Sequence, residues 1–149
     1  MTASGVSLVD ANVWLALAVG THLHHAPART WFDGQSDGRC AFCRITQVAL
    51  LRHLTNSKVM GPTDVQSQGQ AWQTCENIEA DPRVVYLDEP LGLTPVFKLL
   101  THSSYRAHKQ WTDAYLAAFA ECLSLEVVTF DTGFKASPGQ HVQSLTPNP

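Results

Sequence analysis

Short runs rich in β-branched and aromatic residues recur along this 149-residue chain, and stretches with helical spacing separate them. Strand-like runs fall at residues 6–10, 40–43, 84–87 and 126–130, with a weaker edge candidate at 142–145. Helical patterns occupy 11–18, 24–32, about 46–56, a long stretch opened by Gly61-Pro62-Thr63-Asp64 and ending near Asp81-Pro82, then 91–100 and 112–123. Two parallel strands need a crossover of a dozen or more residues, usually a helix, whereas antiparallel strands need only a tight turn. Regular alternation therefore predicts an α/β fold: three α/β/α layers around a central, mainly parallel sheet of four to five strands. The length suits one domain spanning 1–149, with 146–149 as a flexible tail.

Three aspartates stand out against that frame. Asp10 follows Val6-Ser7-Leu8-Val9, Asp131 follows Val127-Val128-Thr129-Phe130, and Asp113 opens the apolar helical pattern of Ala114, Tyr115, Ala117, Ala118 and Phe119. Open α/β folds place ligands outside the carboxyl ends of their strands, so acids at these positions can converge although they come from opposite ends of the chain. Carboxylates gathered without thiolate or imidazole partners suit a hard cation such as Mg²⁺ or Mn²⁺. Each acid also has an ordinary use. Asp10 can cap a helix, Asp113 can favour a helix dipole, and Asp131 can hold an Asx turn in Asp131-Thr132-Gly133.

Composition removes several classes of function. A formal charge of −3, with 15% charged and 44% apolar residues, is that of an ordinary globular protein, so a polyanion would have to meet a local basic patch. No run of 18 apolar residues exists and the first residues carry no secretory pattern, which predicts a cytoplasmic protein with no membrane partner. Cys40-Ala41-Phe42-Cys43 spells a CxxC, but it has no second pair and lies in an apolar strand; it is read as buried small side chains, without zinc. Gly-rich phosphate loops are absent, and Asp10-Ala11-Asn12 cannot begin a calcium loop because no glycine or closing glutamate follows at the required spacing.

Four blocks, taken in order, resemble the PIN domain: Val9-Asp10-Ala11-Asn12-Val13-Trp14-Leu15, then 43–55 with Cys43-Arg44-Ile45-Thr46-Gln47, then Thr112-Asp113-Ala114-Tyr115-Leu116-Ala117, then Val128-Thr129-Phe130-Asp131-Thr132-Gly133-Phe134. The nearest likeness is to the VapC-type ribonuclease toxins of bacterial toxin–antitoxin pairs, and it covers nearly the whole chain. The resemblance implies an endoribonuclease dependent on Mg²⁺ or Mn²⁺, a homodimer, and inhibition by a small cognate antitoxin. It places Asp10, Asp113 and Asp131 at the family's acidic metal positions, with Asn12 and Thr129 as polar neighbours that position them or the substrate. The mechanism it implies is in-line attack on the phosphodiester by a metal-activated water.

One position departs from the family. Where it usually carries a glutamate at the start of the third helix, this chain has Gln47. Gln47 shares a helical face with Leu50, Leu51 and Leu54, so it is expected to point inward, either satisfying backbone groups or standing behind the metal. The expectation is a three-carboxylate site with weaker or substrate-assisted metal binding. Arg44, Arg52 and Lys109 lie near the acidic blocks and are the candidate phosphate contacts. Trp111 either packs or stacks a base, and most of the seven histidines are read as solvated or structural. Apolar helical residues Trp14, Trp31, Phe32, Leu50 and Leu54 exceed what one small core is expected to hold, which suggests an antitoxin groove. Two rival readings remain: a PIN-like protein that binds nucleic acid or a partner without cutting, and a phosphotransfer module using an aspartyl nucleophile.

Overall fold

The computed structural model describes residues 5–102, 106–135 and 139–146. Elements run β1 (Ser7–Val9), α1 (Ala11–Ala18), α2 (His25–Asp33), β2 (Cys40–Phe42), α3 (Arg44–Leu54), α4 (Ser57–Asp64), α5 (Gln68–Glu79), β3 (Val84–Tyr86), α6 (Leu93–Thr101), α7 (Trp111–Leu123), β4 (Glu126–Thr129) and β5 (Val142–Ser144). Their sheet has the order β3-β2-β1-β4-β5, and every pairing is parallel. Three layers on a parallel sheet are thus what the alternation predicts. Of the flexible tail expected at 146–149, residues 147–149 lie outside the described residues.

Strand order, more than strand number, positions the crevice. The chain winds outward from β1 through β2 to β3, then returns to build β4 and β5 on the other side of β1. The order reverses between β1 and β4, and that reversal opens a crevice outside their carboxyl ends. Asp10 and Asp131 emerge there.

Alternation along each strand distributes side chains between two cores. Val9, Cys40, Phe42 and Val128 face the core shared with α1, α2, α3 and α5, while Leu8, Ala41 and Val127 face the core of α6 and α7. Trp14 anchors the first, stacked on Phe42 at 4.0 Å between ring centroids and edge-on to Phe32 at 6.4 Å. Complete burial of so large a ring contributes about 3 kcal/mol. Its indole Nε1 has no hydrogen-bond partner among the described residues, so packing alone fixes it. Cys40 packs in one core and Cys43 in the other, so the two thiols cannot aim at one metal. Burial pushes the Cys40 thiol up to about 12.

Two expectations are corrected. Gly61-Pro62-Thr63-Asp64 does not open the long helix; it lies in a separate short helix, α4, kinked at Gly61, whose φ of 81° suits glycine. The long helix starts instead at Gln68, where Ser67 and Gln70 cap each other's backbone reciprocally, a stronger start signal than a proline. Its inner stripe is therefore Ala71, Cys75 and Ile78, while Gly69 and Trp72 lie exposed and Val65 falls outside the helix. The supposed surplus of apolar surface is also absent at the residues named: Trp14, Phe32, Leu50 and Leu54 are core, and Trp31 packs against it. The large exposed apolar side chains among the described residues are instead Leu23, Leu91, Leu99, Val48, Val59, Trp72, Tyr86 and Trp111. No helix among the described residues is long and apolar enough to cross a membrane.

Candidate active site

Asp10 sits at the end of β1 as the N-cap of α1. Its Oδ1 accepts from the Ala11 N–H at 2.7 Å, and its Oδ2 accepts from the Thr129 hydroxyl at 2.8 Å. Thr129, fully buried at the end of β4, also accepts through Oγ1 from the Asp131 N–H at 3.0 Å and from Asn12 Nδ2 at 3.2 Å. Asn12 returns the bond, its Oδ1 accepting from the Phe130 N–H at 3.2 Å. One hydroxyl thus ties together the two strand ends that flank the crevice, and the cap and the site are the same residue. The ordinary use of Asp131 is present as well: its Oδ1 accepts from the Gly133 N–H at 2.8 Å in an Asx turn, while the residue itself remains exposed.

Asp113 lies in the first turn of α7, which begins at Trp111. No hydrogen bond ties its carboxylate to the described residues. Its acidity reports its position. Burial, then the charges of Asp10 and Asp131, push its pKa from 3.8 up to about 6. Asp10 is raised too, by burial first and by the Asp131 charge, against the lowering effect of the bonds from Thr129 and Ala11. Three carboxylates from β1, α7 and the end of β4 therefore share one electrostatic neighbourhood, as like charges in a partly desolvated crevice do.

No three His, Cys, Asp or Glu side chains among the described residues form a ready cage for a metal. The donors nonetheless suit Mg²⁺, which keeps several waters and takes one or two carboxylates plus substrate phosphates in place of an all-protein shell. An oxygen-only set in which the pKa values of Asp10 and Asp113 are raised, open on the Asp131 side, fits that mode of binding.

The other candidates divide. Gln47 is buried as read, but its carbonyl accepts from Arg44 and its amide donates to Glu79 at 2.8 Å, so its hydrogen bonds go to α3 and α5 and not to the three aspartates. Arg44 is held by that bond and lies 5.2 Å over the Tyr86 ring. Arg52 lines a groove between α3 and α5 with Val48, Leu51 and Trp72, which includes none of the acids. Lys109 is exposed, and Lys135 is a cation that shares a cavity with Asp113, beside Gln110. Sequence reading missed both, since Lys135 is an unremarkable loop lysine until the Asp131-Thr132-Gly133 turn brings it back. Histidines find local roles: His24 stacks on Phe130 at 4.6 Å, His22 Nδ1 accepts from the His24 N–H at 3.0 Å, and His25 Nδ1 pairs with the Ala16 carbonyl at 2.7 Å. His53 is close enough to interact with the Asp10 charge, but burial and Arg52 hold its imidazole below its usual pKa.

With a reversed parallel sheet and an acidic crevice at its switch point, comparison with known proteins is direct. The PIN domain family model matches residues 7–139, and the chain belongs to that family. Among curated relatives, ribonuclease VapC41 of Mycobacterium tuberculosis is 39% identical over 142 residues, covering 93% of this chain and 97% of the relative. Ribonuclease VapC44 of the same organism is 32% identical over 148 residues, covering 93% and 99%. Among solved structures, FitAcB from Neisseria gonorrhoeae superposes with a TM-score of 0.65 at 19% identity, covering 94% and 98% of the two chains. VapBC2 from Rickettsia felis, bound to a DNA fragment from its promoter, gives 0.63 at 13% identity, covering 93% and 98%. These structural likenesses bear on the fold.

Proposed function

We propose that this chain is an endoribonuclease of the VapC type, the toxin of a toxin–antitoxin pair, acting as one PIN-like domain over residues 1–149. Similarity to a ribonuclease over 93% of the chain carries the reading, and the raised pKa of Asp113 beside Asp10 and Asp131 supports it at the site. Asp10, Asp113 and Asp131 would hold Mg²⁺ or Mn²⁺, which when bound supplies neutralisation of phosphate charge and activation of water. The chain's own residues do the rest. Thr129 fixes the Asp10 carboxylate and, with Asn12, locks the β4 end against α1, so that the acids are pre-set and need not reorganise when phosphate arrives.

A small antitoxin is the expected partner, as the resemblance to VapC-type toxins implies, and a homodimer and a cytoplasmic setting accompany that role. A non-cutting nucleic-acid binder is the second reading, favoured by the engagement of Gln47 with Glu79 where the family has an acid. Purified protein incubated with a structured RNA in Mg²⁺, Mn²⁺ or EDTA decides between them. Cleavage that needs the cation, leaves 5′-phosphate ends and is lost in Asp10→Asn supports the nuclease. Binding without cleavage in every condition supports the alternative.

A further inference from the structure

The cavity beside Asp113 has no part in holding the acids together, yet it opens directly from them. Leu100, Gln110, Asp113, Ala114, Gly133 and Lys135 line it, and it encloses about 160 Å³. A smaller cavity of about 60 Å³ adjoins it through the shared Leu100, Gln110 and Ala114, and adds Arg106 and Trp111. Together they form a short groove with Lys135 at one end, Asp113 along its wall, and Arg106 with the half-exposed Trp111 at the other.

From this groove we propose that it receives one nucleotide adjoining the scissile bond of a single-stranded RNA loop, with Lys135 on its phosphate and Gln110 reading its base. The inference rests on the ribonuclease reading and adds a specificity site to it. Size points to part of a larger substrate, because sites for free drug-sized ligands run to about 300–1,000 Å³.

Charge points the same way. Three arginines are committed elsewhere: Arg29 and Arg83 pair with Asp33 and Asp81, and Arg44 is bound to Gln47. Lys135 and Arg106 have no ion pair or hydrogen bond among the described residues, so they supply the local basic patch that a polyanion requires. Chemistry divides the groove further. Leu100, Ala114 and the Trp111 ring offer flat apolar contact to a base face, as unpaired RNA bases demand, while the Gln110 amide has a donor and an acceptor for a base edge. Its side chain makes no hydrogen bond with the described residues.

The test compares wild type, Lys135→Ala, Gln110→Ala and Lys58→Ala, the last on α4 outside the groove, after matching their thermal midpoints. Binding of a fluorescein-labelled hairpin RNA with a randomised loop is followed by anisotropy in EDTA across a salt series, and cut sites in Mn²⁺ are sequenced. Lys135→Ala should weaken binding about tenfold for all loops and lower the salt slope by about one. Gln110→Ala should leave affinity within about threefold but lose about tenfold in preference at one position near the cut. Lys58→Ala should match wild type. If both groove variants bind and cut as wild type does, the groove is not an RNA subsite although the ribonuclease reading stands. If wild type neither binds nor cuts the hairpins, the ribonuclease reading falls and takes this inference with it.

Discussion

Replacing Asp113 by Asn removes a charge from a crevice that already holds two, and the consequence for folding can be worked out before any activity is measured. The folded-state pKa of Asp113 is raised from 3.8 to about 6 by burial and by Asp10 and Asp131. A group raised in this way binds its proton more tightly when folded, so wild-type stability falls as pH climbs through that window. Below about pH 4 both states are protonated there, and the cost vanishes. Above about pH 6 the whole cost is present. Some two pKa units at ~1.4 kcal/mol each set a ceiling near ~3 kcal/mol. Because Asp113 is only partly buried, solvent screening reduces this to about 1 kcal/mol. Urea denaturation of wild type and Asp113→Asn in EDTA, at steps between pH 3.5 and 8, measures it. The two should agree at the acid end and diverge until the variant leads by about 1 kcal/mol at pH 8, roughly 3 °C in Tm. Added Mn²⁺ should reverse the order, since it stabilises the chain that binds it more tightly. A variant no more stable than wild type at pH 8 in EDTA would refute the reasoning, because its carboxylate would then lie outside the shared field.

Thr129→Val keeps the shape but leaves Asp10 Oδ2, Asn12 and the Asp131 N–H short of a partner, so denaturation should show a loss of about 1–3 kcal/mol and RNA cleavage should fall with it. Gln47→Glu would set a carboxylate against Glu79 in a buried position, where Gln47 Nε2 now donates at 2.8 Å. It should destabilise by about 1–3 kcal/mol, and Glu79→Gln should recover most of that in a double-mutant cycle; additive losses would show that the two do not meet. Trp14→Ala should cost about 3–5 kcal/mol by calorimetry, as its stack on Phe42 leaves a cavity that the sheet cannot fill.

Much of this architecture is legible in the residues because period and punctuation agree. Val6 to Val9 and Glu126 to Phe130 read as buried strands and fold as the centre strand and its neighbour, and an aspartate at each end marks the crevice. What eluded reading is where tertiary contact or competing signals decide. Gly61-Pro62 looks like a helix start, yet the reciprocal Ser67–Gln70 cap six residues on opens the long helix. Trp14 and Phe32 look like surplus surface until the order of strands shows how much area one face of the sheet covers. Gln47 has the inward direction its spacing requires, but no spacing reveals that Glu79, 32 residues later, is what it meets.

The bond from Thr129 to Asp10 spans 119 residues, and the pairing of β1 with β4 that carries it lies at the centre of the sheet. Domains are built from the N-terminus at about 5–20 residues per second during synthesis. A chain emerging from a ribosome therefore carries Asp10 through more than a hundred further residues without the hydroxyl that orients it or the strand that seats it. Loss of the chain from β4 onward, by a frameshift, a stalled ribosome or a protease, takes away a strand from the middle of the sheet. The candidate site of a chain meant to cut RNA is thus assembled only after β4 has been made.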